Sequence, residues 1–273
     1  MRERIISASV IVVIILVFIF LSGAPFVLNI AVALLGAGAL CEVLIVTKYV
    51  ESKSLMFISL IFAFLIPFIP DFSRLTFTLG IFAFTMILFI TLLSAYEIFN
   101  IEHLSVVFLM SIIIPYFYAT LIYARRMDAG FYNLLYIFLC AWSTDTGGYI
   151  FGKMFGRHKL TPTISPKKTV EGAIGGVAAS VISTLCLSYI IDVFDNNIIV
   201  NYSVIILYSL TGGIIAILGD LTASVIKRNF GVKDFGRLIP GHGGIMDRFD
   251  SVLFVAPMIY LSLNLYPAFM LIN

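Results

Sequence analysis

Charge is what this sequence has least of. Only 12% of its 273 residues are Asp, Glu, Lys or Arg, whereas 61% are hydrophobic, a balance that excludes an ordinary soluble domain. The alternating apolar and polar pattern of a transmembrane β-barrel is absent, as are internal repeats and low-complexity tracts. Cysteine is scarce: Cys41, Cys140 and Cys186 stand alone inside apolar runs, without C-x-x-C spacing, and read as packing residues. The three histidines, His103, His158 and His242, lack metal-ligand spacing, which argues against a zinc site.

What is there is grease in long runs. Apolar stretches of roughly 18 to 25 residues recur along the chain, the length an α-helix needs to cross about 30 Å of hydrocarbon. Read between polar breaks, they predict helices near 4–22, 25–46, 54–70, 74–95, 104–124, 130–152, 170–192, 202–226 and 251–271. The expected fold is an all-α polytopic membrane protein with about nine transmembrane helices. The first run outlasts a signal-peptide core and ends in LSGAPFVLN without an A-x-A-like cleavage site, so it is read as a retained helix.

Loop charge sets the expected orientation. With the N-terminus in the cytoplasm, fourteen lysines and arginines fall on the inner side and three, Arg74, Arg125 and Arg126, on the outer, as the positive-inside rule requires. Three regions follow: an N-terminal helical hairpin over 1–52, middle helices over 53–129 that could carry a dimer contact, and a C-terminal region over 130–273 with two basic loops, 152–169 and 227–250. The expected polar cavity opens to the cytoplasmic side.

Acids inside such helices need an explanation, because an unpaired one at the bilayer centre costs roughly 2.5–3.5 kcal/mol. Glu42 in GAGALCEVLIV lies near an inner helix end; a functional and a structural role are both open, the structural one being simpler. Asp145 in AWSTDTGGYIFGK and Asp220 in AILGDLTASVIKR each sit about six residues from an inner end, about 9 Å deep; their matched depth suggests one shared cavity, the alternative being an acid that pairs with a lysine to lock helices together. Asp220, Ser224 and Lys227 follow i, i+4, i+7 and share a helix face. In GGIMDRFDS, Asp247 reads as functional, whereas Asp250 could simply cap the ninth helix. Carboxylates converging beneath basic loops suit a hard cation that carries phosphates, magnesium above all.

In ISPKKTVEGAIGG the sequence predicts a helix start, with Ser165 as cap, Pro166 in the first position, and Lys167 and Lys168 beside free amides as an anion site, the alternative being a purely topogenic role for the two lysines. Gly172 and Gly176 have the G-x-x-x-G spacing of close helix packing. Gly147 to Lys153 reads G-x-x-x-x-G-K, but Met154 stands where a P-loop needs Ser or Thr, and the segment ends a membrane helix; it is set aside as a decoy.

The run SVIKRNFGVKDFGRLIPGHGGIMDRFD, Ser224 to Asp250, resembles the signature of phosphatidate cytidylyltransferases (CDP-diacylglycerol synthases): S-x-x-K-R, then K-D, then P-x-H-G-G-x-x-D-R-x-D. DTGGYIFGKMFGRHKLTPTISPKKTVEG, Asp145 to Gly172, is similar to a second region of that family, departing at Val170, where an aromatic would be expected. The motifs cover roughly the last half of the chain.

The resemblance implies a membrane enzyme, a homodimer in the inner (plasma) membrane, that joins CTP and phosphatidic acid into CDP-diacylglycerol and pyrophosphate, with membrane lipids and no nucleic acid as partners. A lipid phosphate monoester is already a competent anionic nucleophile at neutral pH, so the need is charge neutralisation. On this reading Asp220 and Asp247 hold magnesium, while Asp145 orients a lysine or helps a second cation. Lys167, Lys168, Ser224, Lys227, Arg228, Lys233, His242 and Arg248 would meet the substrates, Lys168 also being counted with the catalytic group. A CTP-dependent lipid kinase such as dolichol kinase, an archaeal-lipid cytidylyltransferase and, from another class, a secondary transporter are the alternatives.

Overall fold

The computed structural model describes residues 2–48, 52–71, 74–94, 96–97, 100–239 and 243–272. Among them nine α-helices carry the fold: α1 (Arg2–Leu21), α2 (Val27–Thr47), α3 (Lys53–Leu65), α4 (Arg74–Ser94), α5 (Ile101–Arg126), α6 (Gly130–Phe155), α7 (Val170–Phe194), α8 (Tyr202–Asn229) and α9 (Met246–Leu265). Five helical stretches, Val27–Thr47, Leu75–Ser94, Ile101–Arg126, Val170–Phe194 and Tyr202–Asn229, are long and apolar enough to cross a membrane. The chain divides into two compact units, Met1–Ile122 with Asp234–Asp247, and Tyr123–Lys233 with Arg248–Asn273.

In the first unit α2 is the buried centre, with Ala33, Ala39 and Leu40 wholly enclosed. Gly36 lets α5 come close: a Cβ there would lie 3.2 Å from the Cα of Pro115. Asn29, also buried, donates to the Pro67 carbonyl and to Asp71 Oδ2, both at 2.9 Å. The third predicted helix proves shorter in α form, because α3 passes at Ile66 into a 3-10 segment ending at Asp71; Pro67 cannot supply the amide that the next α-turn needs.

The second unit is built on the tight pairing of α6 with α7. A Cβ on Gly147 would stand 2.4 Å from that of Ala179, and one on Gly176 would stand 2.6 Å from the Thr144 carbonyl, so these backbones approach as small-residue pairs allow. Gly172 meets the Gly148 carbonyl in the same way, in agreement with the packing role expected for the G-x-x-x-G pair. Polar side chains then stitch in α8: the Tyr136 hydroxyl donates to the Ile205 carbonyl at 3.0 Å, and Ser209 Oγ lies 2.6 Å from Thr184 Oγ1. Cys140, buried, receives a hydrogen bond from Ser180 at 3.3 Å, and all three cysteines are free.

Two small antiparallel sheets add to the helices of this all-α fold. Strands β1 (Lys159–Thr161) and β2 (Ser165–Thr169) form one hairpin; β3 (Ile198–Val200) pairs with β4 (Phe269–Leu271). The hairpin corrects the expected helix start at Ser165. Lysines in a first helical turn oppose the helix dipole; the chain keeps Ser165, Pro166, Lys167 and Lys168 extended and caps α7 with Thr169, whose Oγ1 accepts from the Gly172 amide at 3.1 Å. The ninth helix is corrected too: it begins at Met246 and ends at Leu265, after which Pro267 precedes the last strand. Helices α6 and α8 run on to Phe155 and Asn229, so Asp145 and Asp220 lie deeper in their helices than their hydropathy implies.

Candidate active site

The second unit holds a cavity of about 450 Å³. Asp145 and the glycine ridge of α6 form one wall, Asp220 of α8 another, and the β1–β2 hairpin closes over them with Lys159, Lys167 and Lys168. Lys153, at the last turn of α6, adds a fourth ammonium group. Four lysines against two aspartates leave the lining positive, and small residues at Gly148, Gly152 and Gly172 keep the floor open. Such a space suits a ligand with several phosphates.

The hairpin is held where the cavity needs it. The Glu171 carboxylate, in the first turn of α7, accepts from the amides of Arg157 at 3.0 Å and His158 at 3.2 Å, and lies 2.6 Å from His158 Nδ1. From the other side, Arg228 reaches from the last turn of α8 to the Ile164 carbonyl at 3.3 Å. Lys168 crosses the cavity to Asp220, Nζ to Oδ2 at 2.5 Å, with both side chains about a quarter exposed (24% and 28%).

Behind Asp220 the acids gather. Asp145 accepts from Ser251 Oγ at 2.8 Å, and Asp145, Asp220 and Asp250 lie near enough for their charges to act on one another. Lys168 and Arg248 offset the charge of Asp145, and Lys227 that of Asp250. Ser224 Oγ donates to Asp220 Oδ1 at 3.5 Å, so the expected face of Asp220, Ser224 and Lys227 exists, with Ser224 and Lys227 buried.

Arg228, Lys233, Asp247 and Asp250 are not among the residues that line this cavity. Arg228 braces the hairpin from an exposed position, and Lys233 is exposed beyond the end of α8. Asp247 belongs to the first unit, where its Oδ2 accepts from the amides of Phe235 at 2.8 Å and Gly244 at 3.0 Å. Asp250 is not at the helix start: with α9 beginning at Met246, it falls in the second turn and is 6% exposed. His242 lies outside the described residues.

Four contributors escaped the sequence reading. Lys153 sat in the discarded G-x-x-x-x-G-K segment, which is helical throughout. Lys159 registered only as inner-side charge, Ser251 as an unremarkable polar residue, and Glu171 as part of a motif without a task. Only Lys153 and Lys159 left a sequence signal, their proximity to the Lys167–Lys168 pair.

Residues 2–266 match the cytidylyltransferase family. This chain belongs to that family. Among its relatives, the phosphatidate cytidylyltransferase of Staphylococcus aureus (strain COL) is 51% identical over 141 residues, 52% of this chain and 52% of the relative. That of Staphylococcus haemolyticus (strain JCSC1435) is 51% identical over 148 residues, 54% of this chain and 53% of the relative. The enzyme of the same name from Staphylococcus epidermidis (strain ATCC 12228 / FDA PCI 1200) is 44% identical over 148 residues, with the same two shares. The chain spans about half the length of the curated relatives it matches.

Magnesium is the expected cation, and the donor set bears on whether these residues could hold it. Among the described residues no group of three or more His, Cys, Asp or Glu forms a ready-made metal cage. Magnesium does not ask for one: it takes one or two carboxylates and completes its shell with water and phosphate oxygens. Asp220, with Asp145 and Asp250 in its field and lysines beside it, offers hard oxygens of that kind, so the residues fit.

Proposed function

We propose that this chain is a phosphatidate cytidylyltransferase, converting CTP and phosphatidic acid into CDP-diacylglycerol and pyrophosphate. The observation that carries the reading is one cavity in a cytidylyltransferase-family chain where Lys153, Lys159, Lys167 and Lys168 face Asp145 and Asp220.

A phosphate oxygen of phosphatidate attacks the α-phosphorus of CTP, a new P–O bond forms, and the bond to the β-phosphate bridging oxygen breaks. Pyrophosphate leaves with the electron pair. No general base is needed, because the second ionisation of a phosphate monoester, near pKa ~6, leaves the nucleophile anionic at neutral pH. The four lysines draw the nucleotide phosphates in and offset their repulsion with the lipid phosphate. Lys168 is held toward the reacting centre by Asp220, and the hairpin clamp through Glu171 keeps Lys159, Lys167 and Lys168 on one side of the ligand.

Magnesium, when bound, supplies Lewis-acid polarisation of the phosphoryl oxygens. Asp220 would hold it, with Asp250 as second carboxylate and Asp145 tied to Ser251 behind them. In this proposal Asp247 organises its loop instead of sharing the cation with Asp220. The enzyme would sit in the inner membrane as a homodimer with the cavity facing the cytoplasm. The excess of lysine and arginine on the inner loops supports that orientation, and the resemblance to the synthase signature supports the dimer.

The test is incubation of the purified chain with CTP, magnesium and phosphatidic acid in detergent, following both products. Stoichiometric CDP-diacylglycerol and pyrophosphate support the reading; CDP release with a newly phosphorylated lipid would instead mark a kinase, and consumption of neither substrate would end the proposal.

A further inference from the structure

Glu42 takes no part in the chemistry above, yet it is one of the more costly side chains in the molecule. It is 5% exposed on α2, and burying a carboxylate requires compensation worth several kcal/mol. The compensation comes from far along the chain: Oε1 accepts from the Ile245 amide and Oε2 from the Met246 amide, each at 2.9 Å. These amides open α9, where orphan N–H groups and the helix dipole favour a negative charge. A cap is normally supplied by a side chain next to the helix; here one comes from a different helix.

The neighbourhood is cut to admit that carboxylate. A Cβ on Gly236 would stand 2.3 Å from Glu42 Oε1, and one on Gly244 would stand 2.2 Å from Oε2. One turn earlier on α2, a Cβ on Gly38 would stand 2.6 Å from Ile245 Cδ1. Asp247 fastens the same loop through the amides of Phe235 and Gly244. Two carboxylates thus hold four backbone amides between Phe235 and Met246, and α9 continues from that anchorage through Arg248 to Asp250.

We infer that Glu42 is a positioning residue for the reaction: it fixes the start of α9, the helix that carries Arg248 and Asp250. The inference rests on the proposed cytidylyl transfer. A residue that merely filled space on α2 would need no acceptors, whereas this role uses two acceptor oxygens at once. Glutamine of the same shape offers one acceptor and turns its NH₂ donor toward an N–H.

The experiment compares wild type, Glu42→Gln and Asn29→Ala in detergent. Each is measured for thermal midpoint, CTP binding without lipid, and turnover with phosphatidic acid. Asn29 is the control, equally buried in the same unit but bonded to Pro67 and Asp71 instead of the loop. We expect Glu42→Gln to lower kcat by about tenfold or more while KM for CTP stays within about threefold. Asn29→Ala should lower the midpoint and keep kcat.

Wild-type kcat in Glu42→Gln, or an equal kcat loss in Asn29→Ala at the same loss of midpoint, overturns the inference and leaves the proposed reaction standing. A wild-type chain that neither binds CTP nor makes product removes the reaction, and the inference with it. If Glu42→Gln does not fold, Gly244→Ala takes its place, since its methyl pushes the carboxylate off the Met246 amide; wild-type kcat in that variant overturns the inference equally.

Discussion

Lys168 on the hairpin and Asp220 on α8 meet across the cavity at 2.5 Å. Both side chains are about a quarter exposed, so solvent screening keeps the pair's worth as a structural fastening modest. Its position matters more: an anion in the cavity would compete with Asp220 for Lys168, and a cation taken up by Asp220 would loosen Lys168. In the proposed reaction a magnesium–nucleotide complex would bring both at once.

Lys168→Ala should therefore hurt catalysis far more than folding. Turnover is expected to fall by about 10²-fold or more, comparable to removal of one transition-state donor, with a thermal midpoint near that of wild type. Steady-state kinetics beside a melting curve check this; a large midpoint loss with unchanged specific activity would assign the pair to stability.

The two acids of GGIMDRFDS should separate. Asp250→Asn is expected to abolish measurable turnover in protein that still melts cooperatively. Asp247→Ala leaves the amides of Phe235 and Gly244 without their acceptor and should destabilise by about 1–3 kcal/mol, whereas Asp247→Asn keeps one carbonyl oxygen for them and should be milder. Thermal unfolding and product formation on the three variants give the answer.

Glu171→Ala releases the amides of Arg157 and His158, and with them one anchor of the hairpin. Because the hairpin carries three of the four cavity lysines, KM for CTP should rise by about tenfold, with kcat less affected. Equal loss in both constants would mean that Glu171 acts on the transition state.

Gly176→Ala places a methyl 2.6 Å from the Thr144 carbonyl, a backbone atom that cannot step aside. Forced separation of α6 and α7 should cost about 1–3 kcal/mol, read as a lower thermal midpoint with helical content retained.

Acid should loosen the opposite end of the second unit. Asp195, just past α7, accepts from the Tyr132 hydroxyl at 2.5 Å and from the Asn197 amide at 3.1 Å, and these bonds hold its carboxyl below the ordinary carboxylate value. A depressed folded-state pKa gives stability that is present above the unfolded value and lost as pH falls through the folded one. Tyr132→Phe should flatten that acid-side dependence, measured as the midpoint between neutral pH and about pH 3.

Much of this was legible in the residues. Scarcity of charge and the length of the apolar runs fixed a helical membrane protein, because hydrocarbon tolerates little else. Asp145 and Asp220 were recognisable as partners, since an acid in a span must have a polar reason. The run from Ser224 to Asp250 carries its resemblance to the cytidylyltransferase signature in residue types and spacing alone.

Tertiary structure decided the rest. Helix periodicity cannot tell that Lys167 and Lys168 leave the helix for a strand, because the cost of lysines at a helix start is avoided by a cap at Thr169, the first residue of TVEG, and by its hairpin partner Lys159 ten residues back. Nor does sequence spacing reveal which of Asp247 and Asp250 turns to the loop amides and which to Asp145 and Asp220; a shift of the helix start from 251 to Met246 exchanges their surroundings. Glu42 is the clearest case. Its neighbours on α2 are apolar, and the two amides that justify its charge lie about two hundred residues away, a distance that only the folded chain closes.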